Sequence, residues 1–329
     1  MPLVCNYYLT YRCNARCVFC DVWEQPDQGS ADPERVLSNL RQLPRVGVRI
    51  VDFTGGEPLL HPDLPRFLRE ARDVGLRTTV TTNGLLYPKR ARELQGLINL
   101  LHISLDAAHP GLHNRLRGVA SFDKILLSLD LALSLGEKPE LLFTATSENF
   151  REVTPLAEMA GKLGVILIVN PVFGWNGHHQ LLSKEQLLEL IERSNRPYVY
   201  LNGGVVRLML EGGNNAEKPR CKAVSATLVI SPHDELLLPC YHHAQTKLPI
   251  CGDLPAAIRS PQRKLWIERQ GRAGFCRNCT INCYLAPSLL YKPDRYFAEF
   301  IPWAVKYFYY KLRYRSKNRK ETEPSNPAD

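Results

Sequence analysis

The sequence has no run of about 18 uncharged apolar residues, the length a membrane-crossing helix needs. Its opening, MPLVCNYYLTYRC, has no basic segment followed by a long apolar stretch. The expectation is a cytoplasmic protein that neither crosses a membrane nor carries an export leader. Low-complexity tracts are also missing: 44% apolar and 23% charged residues, with 21 glycines and 24 prolines, exclude wholesale disorder, collagen and coiled coil. Methionine is scarce at three residues, whereas cysteine is abundant at ten. In a leaderless chain these cysteines should stay reduced, which points to metal or catalysis rather than to disulfides.

Acid is missing from residues 306–320, which hold Lys306, Lys311, Arg313, Arg315, Lys317, Arg319 and Lys320. Residues 306–329, with these seven bases and three acids, carry four of the nine net positive charges. A nucleic-acid-binding surface is therefore not required of the rest. At 329 residues the chain is long enough for one large domain plus a smaller module.

Short β-like runs alternate with helical patterns over the first two hundred residues. Strands are expected near 3–9, 49–53, 77–81, 101–105, 140–145 and 165–170, and helices near 33–43, 62–75, 87–97, 121–136 and 151–163. Asp32-Pro33 and Ser121 read as helix caps. Six strands with helical crossovers imply an α/β parallel sheet, open or closed into a barrel, with functional groups at the carboxyl ends of the strands.

Those ends are where the unusual residues fall. After the first strand comes Cys13-x3-Cys17-x2-Cys20, with no fourth cysteine or histidine nearby; the first histidine is His61. A structural zinc site closes with four ligands, so zinc is disfavoured. A [4Fe–4S] cluster can take three thiolates and leave its fourth iron for a small chelating ligand. After the second strand comes Thr54-Gly55-Gly56-Glu57-Pro58, whose glycines permit close backbone approach to a ligand and whose carboxylate can accept from an ammonium group. Thr81-Thr82-Asn83-Gly84 follows the third strand and Ser104-Leu105-Asp106 the fourth. Each alone reads as a turn or cap. Following successive strands in order, all four reach one rim of a parallel sheet.

With these motifs in this order, residues 4–200 resemble the radical S-adenosylmethionine (radical SAM) enzymes, down to the aromatic Phe19 before the last cysteine of the loop. The resemblance implies a partial (βα)6 TIM-like barrel. It implies that Cys13, Cys17 and Cys20 bind a [4Fe–4S] cluster whose open iron chelates S-adenosylmethionine. Gly55, Gly56 and Glu57 would contact the methionine amine, and Ser104, Asp106 and Asn83 the carboxylate or ribose. Arg117 is a further candidate, about equally readable as a surface arginine. A low-potential electron donor such as flavodoxin or ferredoxin is implied as partner. Such chemistry abstracts hydrogen from an otherwise inert substrate.

A second cysteine set occupies the last third: Cys221, Cys240, Cys251, Cys276, Cys279 and Cys283. Two β runs across a turn would place Cys221 and Cys240 at one end, where a CxxC pair could complete a four-thiolate site. Residues 215–285 resemble the SPASM and twitch modules, which carry auxiliary iron–sulfur clusters. A full SPASM module has glycine five residues before its second cysteine, where this chain has Glu235, and seven cysteines, where this chain has at most six. One auxiliary [4Fe–4S] cluster on Cys221, Cys240, Cys276 and Cys279 is expected, with Cys283 able to replace one ligand. A four-cysteine zinc ribbon remains the alternative. Cys251 and Cys5 read as unligated, Cys5 as a buried strand thiol.

Residues 171–179, PVFGWNGHH, form a loop expected over the barrel mouth, where Trp175, Asn176, His178 and His179 could touch substrate. The division expected is a core at 1–205, an auxiliary module at 206–290 and a tail at 291–329. Nine of the chain's 29 aromatic residues lie between Tyr296 and Tyr314. Beside the bases they suit a peripheral membrane contact, or else a terminal helix packing its rings on the barrel, with Pro302 interrupting its first part. A membrane lipid or isoprenoid and a peptide are the leading substrate classes, with a small polar metabolite such as a sugar or nucleoside as the alternative. A non-enzymatic iron–sulfur electron carrier leaves the glycine, Asn and Ser/Asp motifs unexplained.

Overall fold

The computed structural model describes residues 1–174 and 180–321, with side chains to residue 313. Seven strands, β1 (Val4–Thr10), β2 (Ile50–Gly55), β3 (Arg77–Thr82), β4 (Leu100–Ser104), β5 (Glu140–Ala145), β6 (Ile166–Pro171) and β7 (Val199–Leu201), run parallel in chain order. The crossovers are α1 (Pro33–Gln42), α2 (Leu64–Asp73), α3 (Tyr87–Leu94), α4 (Pro110–Arg117), α5 (Phe122–Ser134), α6 (Val153–Leu163) and α7 (Lys184–Ser194). This is an α/β partial barrel with a parallel sheet, as expected. The expected first six strands and five helices are present, while α4, α7 and β7 were not foreseen.

Alternation along the strands sorts side chains between the layers. Cys5, Tyr7, Val51, Phe53 and Val80 are buried under the helices, and the Tyr7 hydroxyl takes a hydrogen bond from Asn39 of α1 at 3.1 Å. Burying each such apolar side chain stabilises the fold by roughly 1.5–3 kcal/mol. Asn6, Tyr8, Asp52 and Thr54 alternate with them toward the concave side. Asp32 caps α1, accepting from the Arg35 N–H at 3.0 Å with Pro33 at the first position. Ser121 precedes α5 but makes no side-chain cap; its hydroxyl pairs with His113 at 3.0 Å instead.

The chain then continues through α8 (Gly203–Leu210), α9 (Ala223–Ala226), β8 (Thr227–Ile230), β9 (Glu235–Leu238), β10 (Thr246–Pro249), α10 (Leu254–Arg259), α11 (Pro261–Arg269) and α12 (Asn282–Ser288). The β8–β9 hairpin fits the expectation, with an addition: β8 lies parallel to β1, making one ten-stranded sheet ordered β10-β9-β8-β1 through β7. The register Val4↔Thr227 to Tyr7↔Ile230 thus ties the second cysteine region directly to the strand that leads into Cys13.

The last helix, α13 (Arg295–Glu321), runs through Pro302 rather than stopping there. It covers the β7 edge of the sheet: Tyr307 rings with Tyr200, Tyr310 with Tyr198, and Trp303 lies so close to Gly203 that a Cβ there would stand 2.5 Å from the indole nitrogen. At the amino end of β5, away from the cysteine rim, Glu140 accepts from the Tyr307 hydroxyl at 2.8 Å, pairs with Lys311, and meets His102 at 3.2 Å. No described helix is long and apolar enough to cross a membrane.

Candidate functional site

The loop after β1 is clamped from two sides. On one, the β2 turn continues the ladder: the Gly56 N–H bonds to the Thr10 carbonyl at 2.8 Å and the Glu57 N–H to that of Arg12 at 2.9 Å. Cβ atoms at Gly55 and Gly56 would stand 2.1 and 2.2 Å from the Thr10 and Arg12 oxygens. The glycine pair therefore serves the approach of the cysteine loop itself. On the other side, the Arg16 and Val18 N–H groups bond to Arg117 and Leu116 carbonyls at 3.0 and 2.9 Å. Gly118, at φ 63°, ends α4 where a Cβ would stand only 2.4 Å from the Arg16 oxygen.

Held this way, Cys13, Cys17 and Cys20 line one cavity together with Phe19, Gly55, Gly56, Glu57, Asn83, Ser104 and Arg117. All the sequence-derived candidates of the first site but Asp106 are therefore brought together. Burial pushes the Cys13 thiol up to about 11 and Cys20 to about 12, and raises Cys17 against the pull of Arg117. Three softly basic sulfurs at one mouth, with no imidazole among the cavity's lining, match the donor preference of an iron–sulfur cluster.

Glu57 is 1% exposed and its carboxylate is already engaged: it accepts from the Thr82 hydroxyl at 2.8 Å, the Asn83 N–H at 2.8 Å and the Leu59 N–H at 3.1 Å. Burial lifts its pKa to about 7 against these bonds. It therefore braces the loop after β3. The Asn83 amide donates to Asn14 at 2.7 Å, inside the cysteine loop.

Arg117, read from sequence as evenly balanced between site and surface, is 7% exposed. Its guanidinium meets Asp106 at 2.5 Å, reaches the Cys17 sulfur at 3.6 Å and lies over the Phe19 ring at 5.4 Å. Burial works against its charge, but Asp106 and Cys17 outweigh it and hold Arg117 charged. Asp106, fully buried behind it, accepts the Thr144 N–H at 2.9 Å. Its own N–H donates to His113 at 3.1 Å. His113 was missed because nothing in its sequence neighbourhood separates it from a surface helix residue.

In the second set, Cys221, Cys240, Cys276 and Cys279 lie within electrostatic reach of one another, and burial raises all four thiols. Their organiser is Asn214, fully buried and unforeseen. Its side chain donates to the Gly271 and Cys276 carbonyls at 2.8 and 3.0 Å and accepts the Arg220 and Cys221 N–H groups at 2.8 and 3.0 Å. Its N–H donates to the Cys279 carbonyl at 2.9 Å. The signal was the Gly212-Gly213-Asn214-Asn215 run, with both glycines at positive φ. Among the described residues no three His, Cys, Asp or Glu side chains surround a single-ion position. Cys283 lines a different cavity, with Asn170, Tyr200 and Asn202. Cys5 is buried in β1 and Cys251 is exposed. Tyr241, directly after Cys240, stacks on Tyr8 at 4.3 Å and joins the two cysteine regions. Trp175, Asn176, His178 and His179 lie outside the described residues.

Residues 7–159, just under half of the chain, match the family model described as "Radical SAM superfamily", and the carboxyl rim that gathers three thiols beside a Gly-Gly-Glu brace lies within that match. That segment is a radical SAM domain. Among curated relatives, it is 29% identical over 238 residues to "Probable GTP 3',8-cyclase" of Sulfurisphaera tokodaii, covering 67% of this chain and 76% of the relative. Among solved structures, SuiB of Streptococcus suis bound to S-adenosylmethionine superposes with a TM-score of 0.67 at 19% identity, over 90% of this chain and 76% of that one. A second, "Native anSMEcpe with bound AdoMet", gives a TM-score of 0.62 at 16% identity, over 98% of this chain and 100% of that one. At these identities the structural likeness describes the fold.

Proposed function

We propose that this enzyme uses S-adenosylmethionine and a [4Fe–4S] cluster at the Cys13–Cys17–Cys20 cavity to abstract hydrogen from a small polar substrate of the nucleotide class. The single lining that unites three thiols with Gly55, Asn83, Ser104 and Arg117 carries the reading. When bound, cluster and S-adenosylmethionine supply a one-electron cleavage that yields a 5′-deoxyadenosyl radical. The chain's own residues hold and orient. Cys13, Cys17 and Cys20 bind iron; Arg117 lies against the Cys17 sulfur, where its charge favours thiolate. The Gly55–Gly56 backbone, Asn83 and Ser104 face the space for the methionine and ribose groups, and Glu57 and Asp106 position Asn83 and Arg117 from behind. Phe19 shields one flank from water.

The substrate order of the sequence reading is reversed. The curated relatives named as GTP 3',8-cyclases favour a nucleotide over lipid or peptide. The second part of the proposal is an auxiliary cluster on Cys221, Cys240, Cys276 and Cys279, supported by the way Asn214 gathers the peptides of Cys221, Cys276 and Cys279 and by the nearness of Cys240 to these three. In this reading the 206–290 region serves the 1–205 core, and a flavodoxin or ferredoxin supplies electrons.

The test is anaerobic turnover of the iron-loaded enzyme with ribose-deuterated GTP, ATP and cytidine triphosphate. Deuterium in 5′-deoxyadenosine from a purine nucleotide is expected. Deoxyadenosine that carries no deuterium with any of the three would retain the radical chemistry and remove the nucleotide assignment.

A further inference from the structure

Helix α13 has two unlike faces. The inner one, with Trp303, Tyr307, Tyr310 and Lys311, is seated on α8, β7 and Glu140 as described. The outer one carries Ile301, Val305, Phe308, Tyr309 and Leu312, which are 44, 63, 62, 48 and 63% exposed. Their spacing of four, seven, eight and eleven residues from Ile301 aligns them along about three turns of one helix side. Scattered apolar surface residues are ordinary, but a contiguous stripe marks a contact surface.

Charge identifies what the stripe meets. No Asp or Glu occurs from Phe300 to Lys320, while seven Lys and Arg do, four of them between Arg315 and Lys320 just beyond the stripe. Arg313 closes the stripe itself, its guanidinium 4.9 Å from the Tyr309 ring centre. An apolar stripe rimmed by aromatic rings and followed by cations is complementary to acyl chains beneath anionic headgroups. The helix is too polar to cross a bilayer. The geometry points to a surface-lying helix: we propose that the outer face of α13 docks the enzyme on an anionic lipid membrane, while its inner face stays fixed to the barrel. This inference is independent of the substrate.

The experiment is flotation of the iron-loaded full chain with vesicles of equal parts phosphatidylglycerol and phosphatidylcholine, or of phosphatidylcholine alone. Binding to the anionic vesicles only, weakened by salt, is expected. Combined Val305→Ser, Phe308→Ser and Leu312→Ser should lower the bound fraction about tenfold or more, with bound iron and 5′-deoxyadenosine formation unchanged. Failure of the unaltered chain to float with anionic vesicles would overturn the proposal, as would equal flotation of the triple variant. A dimer in sedimentation that the triple variant abolishes, without vesicle binding, would assign the stripe to a second copy instead.

Discussion

The Glu57 carboxylate accepts the backbone N–H of Asn83 at 2.8 Å, so the loop after β2 holds the loop after β3 in place. A residue expected to meet a substrate ammonium group spends its oxygens on its own chain. Glu57→Ala would leave the Asn83 N–H and Thr82 hydroxyl buried without their acceptor, at roughly 1–3 kcal/mol for each. Weaker S-adenosylmethionine binding by equilibrium dialysis and a lower melting temperature are expected together.

The same carboxyl sets a pH dependence. Burial raises it to about 7 in the fold from an ordinary 4.5. The folded state therefore binds more protons between those values, and the contribution to stability is full below about 4.5 and falls as pH rises to about 7. Thermal unfolding across that range should show the decline, and Glu57→Gln should flatten it.

Glu140 behaves oppositely. Burial alone would raise it, but His102 and Lys311 bring it down to about 2. Its contribution is present above about 4.5 and is lost as pH falls toward 2. Glu140→Ala removes the common partner of Tyr307, Lys311 and His102, and a destabilisation of about 3 kcal/mol is expected from breaking so buried a pair. Limited proteolysis should then release α13 at neutral pH.

Gly118→Ala places a methyl 2.4 Å from the Arg16 carbonyl at a positive φ. The cysteine loop must shift, so we expect a loss of roughly 1–3 kcal/mol in stability and less bound iron per chain. Unchanged iron content would contradict the clamp.

Much of this was legible in the sequence because it is written in local patterns. Short β-like apolar runs mark β1 to β6, and the cysteine, glycine, Asn and Ser/Asp motifs each follow a strand end, so parallel topology alone brings them to one rim. What stayed hidden depends on contacts across long separations. Arg117 is 100 residues from Cys17, and only the fold shows that its guanidinium joins that sulfur to Asp106. Gly55 and Gly56 were read as room for a ligand, yet the backbone they admit is that of Thr10 and Arg12. Nor does periodicity show that β8 pairs with β1.

Asn214 is the sharpest case, since two of its four side-chain hydrogen bonds fix the peptides of cysteines 7 and 62 positions away and the other two hold Arg220 and Gly271. Asn214→Ala should lower bound iron from about eight to about four per chain, the content of two and one four-iron clusters. Cleavage of S-adenosylmethionine should persist without stoichiometric product. Equal iron in variant and parent would remove Asn214 as organiser.

The central claim is that the cavity bearing Cys13, Cys17 and Cys20 cleaves S-adenosylmethionine, and the most direct measurement is 5′-deoxyadenosine formed per chain under strong reductant, with bound iron, in the parent and in Cys17→Ala. The account predicts deoxyadenosine from the parent and none from the variant, whose remaining iron is that of the second cysteine set. Deoxyadenosine from the variant at the parent's rate, or none from a fully iron-loaded parent, would contradict it.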